Sequence, residues 1–435
     1  MKKILLLSGL FLAGQVFAQK SNIKFEEYTL DNGLHVILHE DHSTPIVAVT
    51  VLYEVGSKDE EKGKTGYAHF FEHLMFEESK NIGRDEYAKI VQSVGGTINA
   101  NTSNDRTFYY EVLPSNQLEL GLWMESERML NAVINQDGVD NQREVVKEEK
   151  RQRYSQPYST FAEEMFKRIY ANQAYEHTPI GSFEDLNAAE ISDFQAFYDK
   201  YYVPNNATLS IAGDIDIAEA KKYIKKYFST IPKGETAITR PTVDQALLKN
   251  KIVDTVYDNI QLPGVFKAYK TVGQTNEDAY ALDMIATILS GGKSARMYKT
   301  LVDDKQLALM AAGFPYSLDQ SGSFIALGLA NAGVEVEKVA EEMDAVINQL
   351  KTDLITENEY KKIQNQMEAQ FISSNSRVVG IAETLANYHT YYGDANLINT
   401  EIEKYRKVTR EDIRRVAKKY FVPSNSVTLY YLPKK

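Results

Sequence analysis

Cysteine is absent from all 435 residues of this sequence. Its absence excludes disulfide bonds, zinc sites built from thiolates and catalysis by a cysteine nucleophile. A buried core must therefore stabilise the chain, and a hydrophobic content of 43% can supply one. Basic residues are also scarce, since 49 Lys and Arg stand against 60 Asp and Glu. A protein this acidic is a poor candidate for binding nucleic acid or anionic membranes.

Long hydrophobic runs are missing too, except at the N-terminus. Lys2-Lys3 precedes an apolar stretch from Ile4 to about Ala13, and Val16-Phe17-Ala18 follows it. This pattern predicts a cleaved secretory signal over residues 1–18, because the stretch is too short to span a bilayer. We therefore expect a periplasmic or secreted protein without a membrane span. Removal of the signal takes away two lysines and no acidic residue, so the net charge of the mature chain is more negative by two.

One segment of the sequence recurs, in similar form, about half the chain length later. KYYVPNNATLSI begins at Lys200, and KYFVPSNSVTLY begins at Lys419. Both segments follow an amphipathic helix with capping residues at its start, and each Val-Pro turn leads into a β-branched strand. The prolines Pro204 and Pro423 lie 219 positions apart. This offset favours a duplication over the chance recurrence of a common helix–turn–strand unit.

A polar stretch with prolines and a glycine, from Ile231 to Pro241, marks the boundary between the halves. We predict an N-terminal domain over 19–235, a linker over 236–247 and a C-terminal domain over 248–435. Each half alternates strands with helices, which predicts an α+β fold of two similar mixed domains. In the first half we expect strands on either side of Asp31-Asn32-Gly33, a strand over Ile46–Tyr53, and helices over Tyr67–Glu77, Gln117–Met129 and Gly138–Tyr154.

The pentapeptide His69-Phe70-Phe71-Glu72-His73 is the most informative motif. On a helix, His69 and His73 project from one face one turn apart, which suits two neutral imidazoles that share a tetrahedral zinc ion. Zinc lowers the pKa of water towards ~7, and Glu72 is close enough to take the proton as a general base. Because the pentapeptide could also be a helix with two histidines near a core, a zinc site needs a third ligand.

The helix expected to end at Tyr154 offers two candidates for that ligand. Glu149 shares one broad face with Val145 and Val146, so its carboxylate can point inward. Glu144 and Glu148 form a separate i,i+4 pair on a face that we expect to be solvated. The pattern favours Glu149 but leaves Glu148 open, since runs of charged residues usually face solvent.

These motifs resemble the pitrilysin/insulinase family of zinc peptidases, the inverzincins, and especially its shorter branch of bacterial and mitochondrial-processing-peptidase-like members. The resemblance covers nearly the whole mature chain. It implies a clamshell of two homologous mixed α/β domains, of which only the first holds metal. Family members place the third ligand about 75 residues after the second histidine, which here implies Glu149. Further matching segments are Asp31-Asn32-Gly33-Leu34, Gly95-Gly96-Thr97-Ile98-Asn99-Ala100 and His177-Thr178-Pro179-Ile180-Gly181.

The resemblance also implies a way to bind substrate. A strand near Gly95–Thr102 would pair its edge with an extended peptide, and Asn99 and Ala100 match positions that contact substrate. A turn or strand-end role is the alternative for Asn99. We expect His177 to be a loop residue rather than a ligand. Gln142 stands where many members carry a glutamate, and its amide can still hydrogen-bond behind the metal ligands.

The C-terminal half departs from the family more sharply. Active single-chain members present an arginine and, seven residues later, a tyrosine to the substrate, but the matching positions here hold Val302 and Leu309. Neither side chain can donate a hydrogen bond. Arg296 and Tyr298 are no substitute, because residues two positions apart face different sides of a helix.

We therefore predict a zinc-dependent endopeptidase of short or unfolded peptides, acting as the zinc subunit of a heterodimer. A paralogous partner would supply the missing arginine and tyrosine, and a homodimer is the alternative assembly. One alternative is a catalytically inactive scaffold or assembly subunit of the same fold. Another is a periplasmic peptide-binding protein, which would explain secretion and acidity but not the zinc motif.

Overall fold

The computed structural model describes residues 22–434, so the expected signal segment lies outside the described residues. The strands are β1 (Glu26–Thr29), β2 (His35–Glu40), β3 (Ile46–Tyr53), β4 (Thr97–Thr102), β5 (Thr107–Pro114), β6 (Ala207–Gly213), β7 (Ile252–Asp258), β8 (Gly264–Val272), β9 (Ala308–Ser317), β10 (Ser321–Ala330) and β11 (Ser426–Pro433). The helices are α1 (Tyr67–Leu74), α2 (Glu86–Ser93), α3 (Leu118–Asn131), α4 (Gln136–Tyr154), α5 (Phe161–Ile169), α6 (Phe183–Ala188), α7 (Ile191–Tyr201), α8 (Ile217–Phe228), α9 (Glu277–Ser290), α10 (Val336–Thr352), α11 (Glu357–Ser374), α12 (Val378–Asn387), α13 (Leu397–Lys407) and α14 (Arg410–Tyr420).

The first half contains a six-stranded sheet in the order β1-β2-β6-β3-β5-β4. Its central strand β3 reads IVAVTVLY and is buried from its second residue onward. A β-branched run of this kind suits a strand that is covered on both faces. The strand β4 forms one edge of the sheet, as the sequence predicted for Gly95–Thr102.

The second half repeats this arrangement in a five-stranded sheet, β7-β11-β8-β10-β9. The order is that of the first sheet without β1. In both sheets, the strand after the Val-Pro turn runs between a parallel and an antiparallel neighbour. The prediction of two homologous mixed α/β domains is confirmed, and the duplication extends to entire sheets.

The two halves exchange one helix each. The helix α5 lies in the first half, but its apolar face packs on β8 and β11 of the second sheet. Conversely, α12 packs on β2, β3 and β6 of the first sheet. The two helices occupy equivalent places in the duplicated halves. The boundaries 19–235 and 248–435 stay a prediction for the sequence units, but three hydrophobic clusters contain residues of both halves.

Buried polar contacts also join the halves. The Lys58 ammonium, 1% exposed, lies 3.0 Å from Asp105 in its own half and 2.8 Å from Asp319 in the other. In the predicted linker, Arg240 reaches back to Asp59 at 3.0 Å. These charges are paired rather than isolated, which is the condition under which burial of charge is tolerated.

Helix ends differ from expectation by a few residues. The helix that carries the pentapeptide stops at Leu74 rather than Glu77, and α7 begins at Ile191 after Glu190. Thr409 is the N-cap of α14, as expected, since its hydroxyl accepts from the Asp412 amide. Within residues 22–434, no helix combines the length and apolar character that crossing a membrane requires.

Candidate functional site

The helix α1 separates the pentapeptide into two faces. Phe70 and Phe71 are fully buried in the core of the first half. His69, Glu72 and His73 stay partly exposed on the other side. Apolar residues at helical spacing thus fix the rotation of α1 and present the three polar side chains together.

The N-terminus of α1 is held by a buried carboxylate, which sequence reasoning missed. Glu60 is fully buried, and its two oxygens accept from the amides of Gly66 and Ala68, each at 2.8 Å. Gly66 has φ +92°, and a Cβ there would lie 2.8 Å from the Ile180 carbonyl oxygen. Both the positive φ and the lack of space for a Cβ require glycine at position 66. Without a side chain there, the loop after His177 can pack tightly beneath the helix.

His177 lies against this carboxylate and not in the cluster of the other two histidines. Its Nε2 is 2.8 Å from the Glu60 carboxylate. Burial raises the pKa of Glu60. Burial also lowers the pKa of His177, but the hydrogen bond and charge of Glu60 outweigh it, so the net pKa of His177 is raised. The pair therefore supports the start of α1.

Three side chains of the first half converge at one point. His69 Nε2 lies 3.4 Å from a carboxylate oxygen of Glu149, and His73 Nε2 lies 3.5 Å from the same atom. Ligands about 2.1 Å from a tetrahedral zinc ion are separated by about 3.4 Å. The two imidazole rings meet edge to face. The donor set and its spacing fit zinc.

The protonation states also suit a cation. Burial, followed by the charge of His73, lowers the pKa of His69 to about 4, so its imidazole is neutral at pH 7. The hydrogen bond with His73 is the main cause that lowers the pKa of Glu149. A neutral imidazole and a carboxylate are the forms that coordinate metal.

The structure brings Glu149, and not Glu148, to the two histidines. Glu148 is exposed and pairs with Arg151 at 3.1 Å. Glu144 pairs with Lys147 at 2.7 Å, and the Glu144 and Glu148 side chains are 63% and 55% exposed, so the face that they share is solvated as expected. The expectation that Val145 faces inward is wrong, because it is 43% exposed. The core covers α4 on the Val146 side only, so the Val145 side stays open.

A hydrogen-bond chain lies behind His73. Its Nδ1 is 3.2 Å from Gln142 Oε1, and the Gln142 amide NH₂ donates to Glu77. Asn141 also donates to Glu77, whose side chain is 2% exposed and lies 3.0 Å from Arg84. Because a carboxylate only accepts, Glu77 turns the Gln142 oxygen towards His73. This favours a proton on Nδ1 and leaves Nε2 free for a metal.

His69 has no comparable support. Its buried Nδ1 finds no hydrogen-bond partner within residues 22–434. The role of Glu77 was missed by sequence reasoning, because only the folded chain brings it to Gln142, 65 positions away.

Glu72 is braced by the neighbouring edge strand. The Thr102 hydroxyl at the end of β4 donates to its carboxylate. Burial raises the pKa of Glu72, while the Thr102 hydrogen bond and the charge of His73 oppose that shift. A carboxylate with a raised pKa, held beside a metal cluster, is suited to accept a proton.

The strand β4 presents its open edge next to this carboxylate. Ile98 and Ala100 pack against the core of the first half, whereas Asn99 is exposed. The Asn99 side-chain oxygen accepts from the Ala100 amide at 2.8 Å. The Ala100 N–H therefore points away from β5, towards the free edge, where an extended peptide could replace the Asn99 side chain.

In the second half, Val302 and Leu309 provide no polar group. Val302 lies half-buried in a π-helical turn over Tyr298–Asp304, and Leu309 on the edge strand β9 is 60% exposed. Arg296 forms two hydrogen bonds with Glu359, at 2.9 and 2.7 Å. Its guanidinium is therefore already engaged.

Two family models match successive parts of the chain. Residues 35–182 match the family described as Insulinase (Peptidase family M16), and residues 189–367 match the Peptidase M16 inactive domain. The zinc protease PqqE of Helicobacter pylori is 31% identical, over 99% of this chain and 99% of that protein.

Two solved structures illustrate the likeness in fold. The crystal structure of a protease from Helicobacter pylori has a TM-score of 0.90 at 31% identity, and covers 94% of this chain and 100% of that one. The periplasmic protease PqqL of Escherichia coli has a TM-score of 0.78 at 18% identity. The match to PqqL covers 94% of this chain but only 47% of PqqL, so this chain spans about half its length.

Proposed function

This chain belongs to the insulinase family of peptidases, family M16, and from that premise we propose that it is a zinc-dependent endopeptidase of short or unfolded peptides. His69, His73 and Glu149 hold the metal in this proposal. The observation that carries it is the pair of distances, 3.4 and 3.5 Å, from the two imidazoles to one Glu149 oxygen. They match the edges of a tetrahedron around zinc.

When bound, zinc supplies a Lewis acid that polarises a peptide carbonyl and makes water more acidic. Glu72 is the group that takes the proton from the attacking water and returns it to the leaving amine. Thr102 holds one oxygen of Glu72 and leaves the other for this transfer. Gln142 and Glu77 fix the orientation of His73.

The edge of β4 is the proposed substrate-binding strand. The Ala100 amide faces the open edge, and Thr102 links the same strand to Glu72. A peptide that pairs with this edge would lie beside the base. Only an extended segment can form such a ladder, which supports short or unfolded peptides as substrates.

A catalytically inactive scaffold is the second candidate function. The profile of the inactive domain supports it, but that match covers 189–367, whereas all three proposed ligands lie within 35–182. The half that matches the peptidase profile thus retains a full donor set. This distribution favours an active enzyme with one metal-free half.

We further propose that a paralogous chain completes the substrate site, since a second copy would carry the same valine and leucine. Val302 and Leu309 cannot donate hydrogen bonds, and Arg296 is engaged by Glu359. A chain about twice as long, PqqL, provides a precedent for joining two units of this size. PqqL is described as periplasmic, which supports the same compartment here, together with the expected signal segment.

Glu72→Gln tests the base. We expect zinc content to be retained while peptide hydrolysis falls by about 10²–10⁴-fold. Glu149→Gln should lose zinc as well as activity. Glu148→Gln is the matched control, since Glu148 lies next to Glu149 but pairs with Arg151 in solvent, and it should change neither quantity.

The outcomes separate the candidates. Hydrolysis by Glu72→Gln at the wild-type rate would exclude Glu72 as the base. A zinc-loaded wild type that cleaves no peptide, with or without a co-purified partner, would favour the scaffold. Full activity of the purified chain, without stimulation by any paralogue, would exclude the need for a partner.

A further inference from the structure

A second group of metal-ligating side chains lies where the two halves meet, apart from the candidate active site. Glu27 of β1, His35 of β2 and His389 of the second half place ligand atoms within 4.8 Å of one another. His35 Nε2 is 3.1 Å from Glu27 Oε2, and His389 Nδ1 is 4.0 Å from the same atom. One carboxylate oxygen thus faces two imidazoles, as the Glu149 oxygen does in the candidate active site.

His389 occupies an unusual backbone position. It lies in a π-helical turn over Tyr388–Tyr392, immediately after α12. Turns of this kind are rare, and they occur disproportionately at functional sites. Gly393, with φ +65°, ends the turn. The turn places His389 over β2, so that its ring stacks on His35 with centroids 3.4 Å apart.

Both imidazoles are available as neutral bases. Burial lowers the pKa of His35, although Glu27 acts against it. Burial, followed by the charge of His35, lowers the pKa of His389 to about 4. Each neutral ring carries one N–H and leaves one nitrogen lone pair available to a metal ion. Thr29 Oγ1, 3.2 Å from His35 Nδ1, supports the ring from behind.

Open space adjoins the group. A cavity of about 160 Å³ is lined by both histidines, by Thr390 and by Glu54. This volume accommodates an ion with several waters. Glu54 is 3.3 Å from Arg240 and is therefore already paired.

We propose that Glu27, His35 and His389 form a second metal site, for a divalent transition metal such as zinc, that fastens the π-helical turn after α12 to the first sheet. Two imidazole nitrogens and one carboxylate oxygen select zinc, cobalt or nickel over calcium or magnesium. The remaining positions are filled by water from the cavity.

Metal binding requires one local movement. Ligands of a tetrahedral ion lie about 3.4 Å apart, and the distances of 3.1 and 4.0 Å from Glu27 bracket this value. The rings are parallel within 1°, however, so their lone pairs cannot both point at one ion. Rotation of the His389 ring into the cavity directs both nitrogens towards Glu27.

The site would act on the assembly of the two halves. The helix α12 is the element that the second half contributes to the first sheet, and His389 follows it directly. A metal here binds the folded arrangement and not the unfolded chain, so it stabilises the contact by mass action. It is separate from the peptidase chemistry and does not depend on the proposed function.

Zinc stoichiometry tests this proposal. The chain stripped of metal with a chelator is titrated with Zn²⁺ by calorimetry, and bound zinc is counted by mass spectrometry. We expect two zinc ions in the wild type and one each in His69→Ala, His389→Ala and Glu27→Gln. In the His69→Ala background, the absorption spectrum of added Co²⁺ should disappear with His389→Ala.

His42→Ala is the matched control. His42 is an exposed histidine 2.5 Å from Asp214 and 3.5 Å from Glu40. Its substitution therefore tests whether the second zinc ion binds at any surface histidine that lies near carboxylates. It should leave two zinc ions. Glu27→Gln keeps the size of an exposed side chain, and its circular dichroism should match the wild type even if His389→Ala folds poorly.

Three results would overturn the proposal. One is a wild type that binds a single zinc ion at excess Zn²⁺ and loses it in His69→Ala. Another is two ions in folded Glu27→Gln and His389→Ala. The third is loss of the second ion in His42→Ala, which would place that ion at the surface.

Discussion

Glu60 and His177, 117 positions apart in sequence, meet at 2.8 Å directly beneath the helix that carries both histidines of the candidate active site. Glu60 also accepts from the Gly66 and Ala68 amides at the start of that helix. An anionic group at a helix N-terminus complements the unpaired N–H groups and the helix dipole. The pair thus connects a loop of the first half to the geometry of the metal cluster.

Removal of the Glu60 carboxylate should therefore destabilise the protein markedly. Glu60→Ala leaves two amide donors and His177 without their partner, and we expect a loss of about 3 kcal/mol in the free energy of unfolding. Urea unfolding measures it. Glu61→Ala is the control, because Glu61 is 71% exposed and pairs only with Lys64 at the surface. Equal effects of the two substitutions would contradict a capping role for Glu60.

The same pair predicts a dependence of stability on pH. The pKa of His177 is raised in the folded state above its ordinary value of 6.5. A raised histidine pKa contributes stability that is fully present below pH 6.5 and is lost as the pH rises through the folded pKa. The free energy of unfolding of His177→Gln, measured between pH 6 and 9, should lack this decline. A parallel decline in both proteins would exclude His177 as its source.

The local chemistry of the site could be predicted because it depends on helical spacing alone. His69 and His73 are four positions apart, and the period of 3.6 residues per turn fixes their common face. Family spacing then indicated Glu149. The same reasoning placed Val145 inward, which is wrong, because periodicity gives angles around a helix but not which side a neighbour covers. Long-range partners such as Glu60 had no signal in the sequence.

The exchange of α5 and α12 between the halves also had no signal in the sequence. An amphipathic pattern shows that a helix buries one face, but both sheets offer an apolar surface to receive it. Duplication makes the two sheets alike, so only the folded chain reveals which helix covers which sheet. Sequence reasoning therefore predicted the two similar folds and missed the crossing of their cores.

The contact between Gln142 and Glu77 predicts the result of restoring the family's glutamate. Gln142→Glu places a second carboxylate against buried Glu77, so we expect zinc affinity to fall by about 10–100-fold. Glu77→Gln alone removes the acceptor that orients Gln142 and should also weaken zinc binding. The double variant Glu77→Gln/Gln142→Glu exchanges the two groups and should recover affinity. Additive losses in this cycle, measured with a competing zinc chelator, would exclude a direct coupling.

The open edge of β4 predicts a main-chain effect on substrate binding. Ala100→Pro removes the N–H that points away from β5, where a sheet tolerates proline. We expect KM for peptides to rise at least about tenfold, the cost of about one hydrogen bond, with kcat and zinc content little changed. Asn99→Ala is the control, since it keeps that N–H and removes only the side chain that covers it. A larger effect of Asn99→Ala on KM would favour side-chain recognition.

The exchanged helices predict that neither half folds alone. A fragment of residues 22–235 lacks α12, so Ile37, Ala48 and Ala212 lose their cover, while α5 has no sheet to pack on. Burial of such apolar surface is the main stabilising contribution in a chain without disulfides. Fragments 22–235 and 248–435 should therefore aggregate when expressed separately and form a one-to-one complex when expressed together, as size-exclusion chromatography can show. Protein nicked within 236–247 by a protease is the control and should stay assembled, because the exchange holds the halves without the linker. A monomeric fragment that unfolds cooperatively by itself would show that the crossed cores are dispensable.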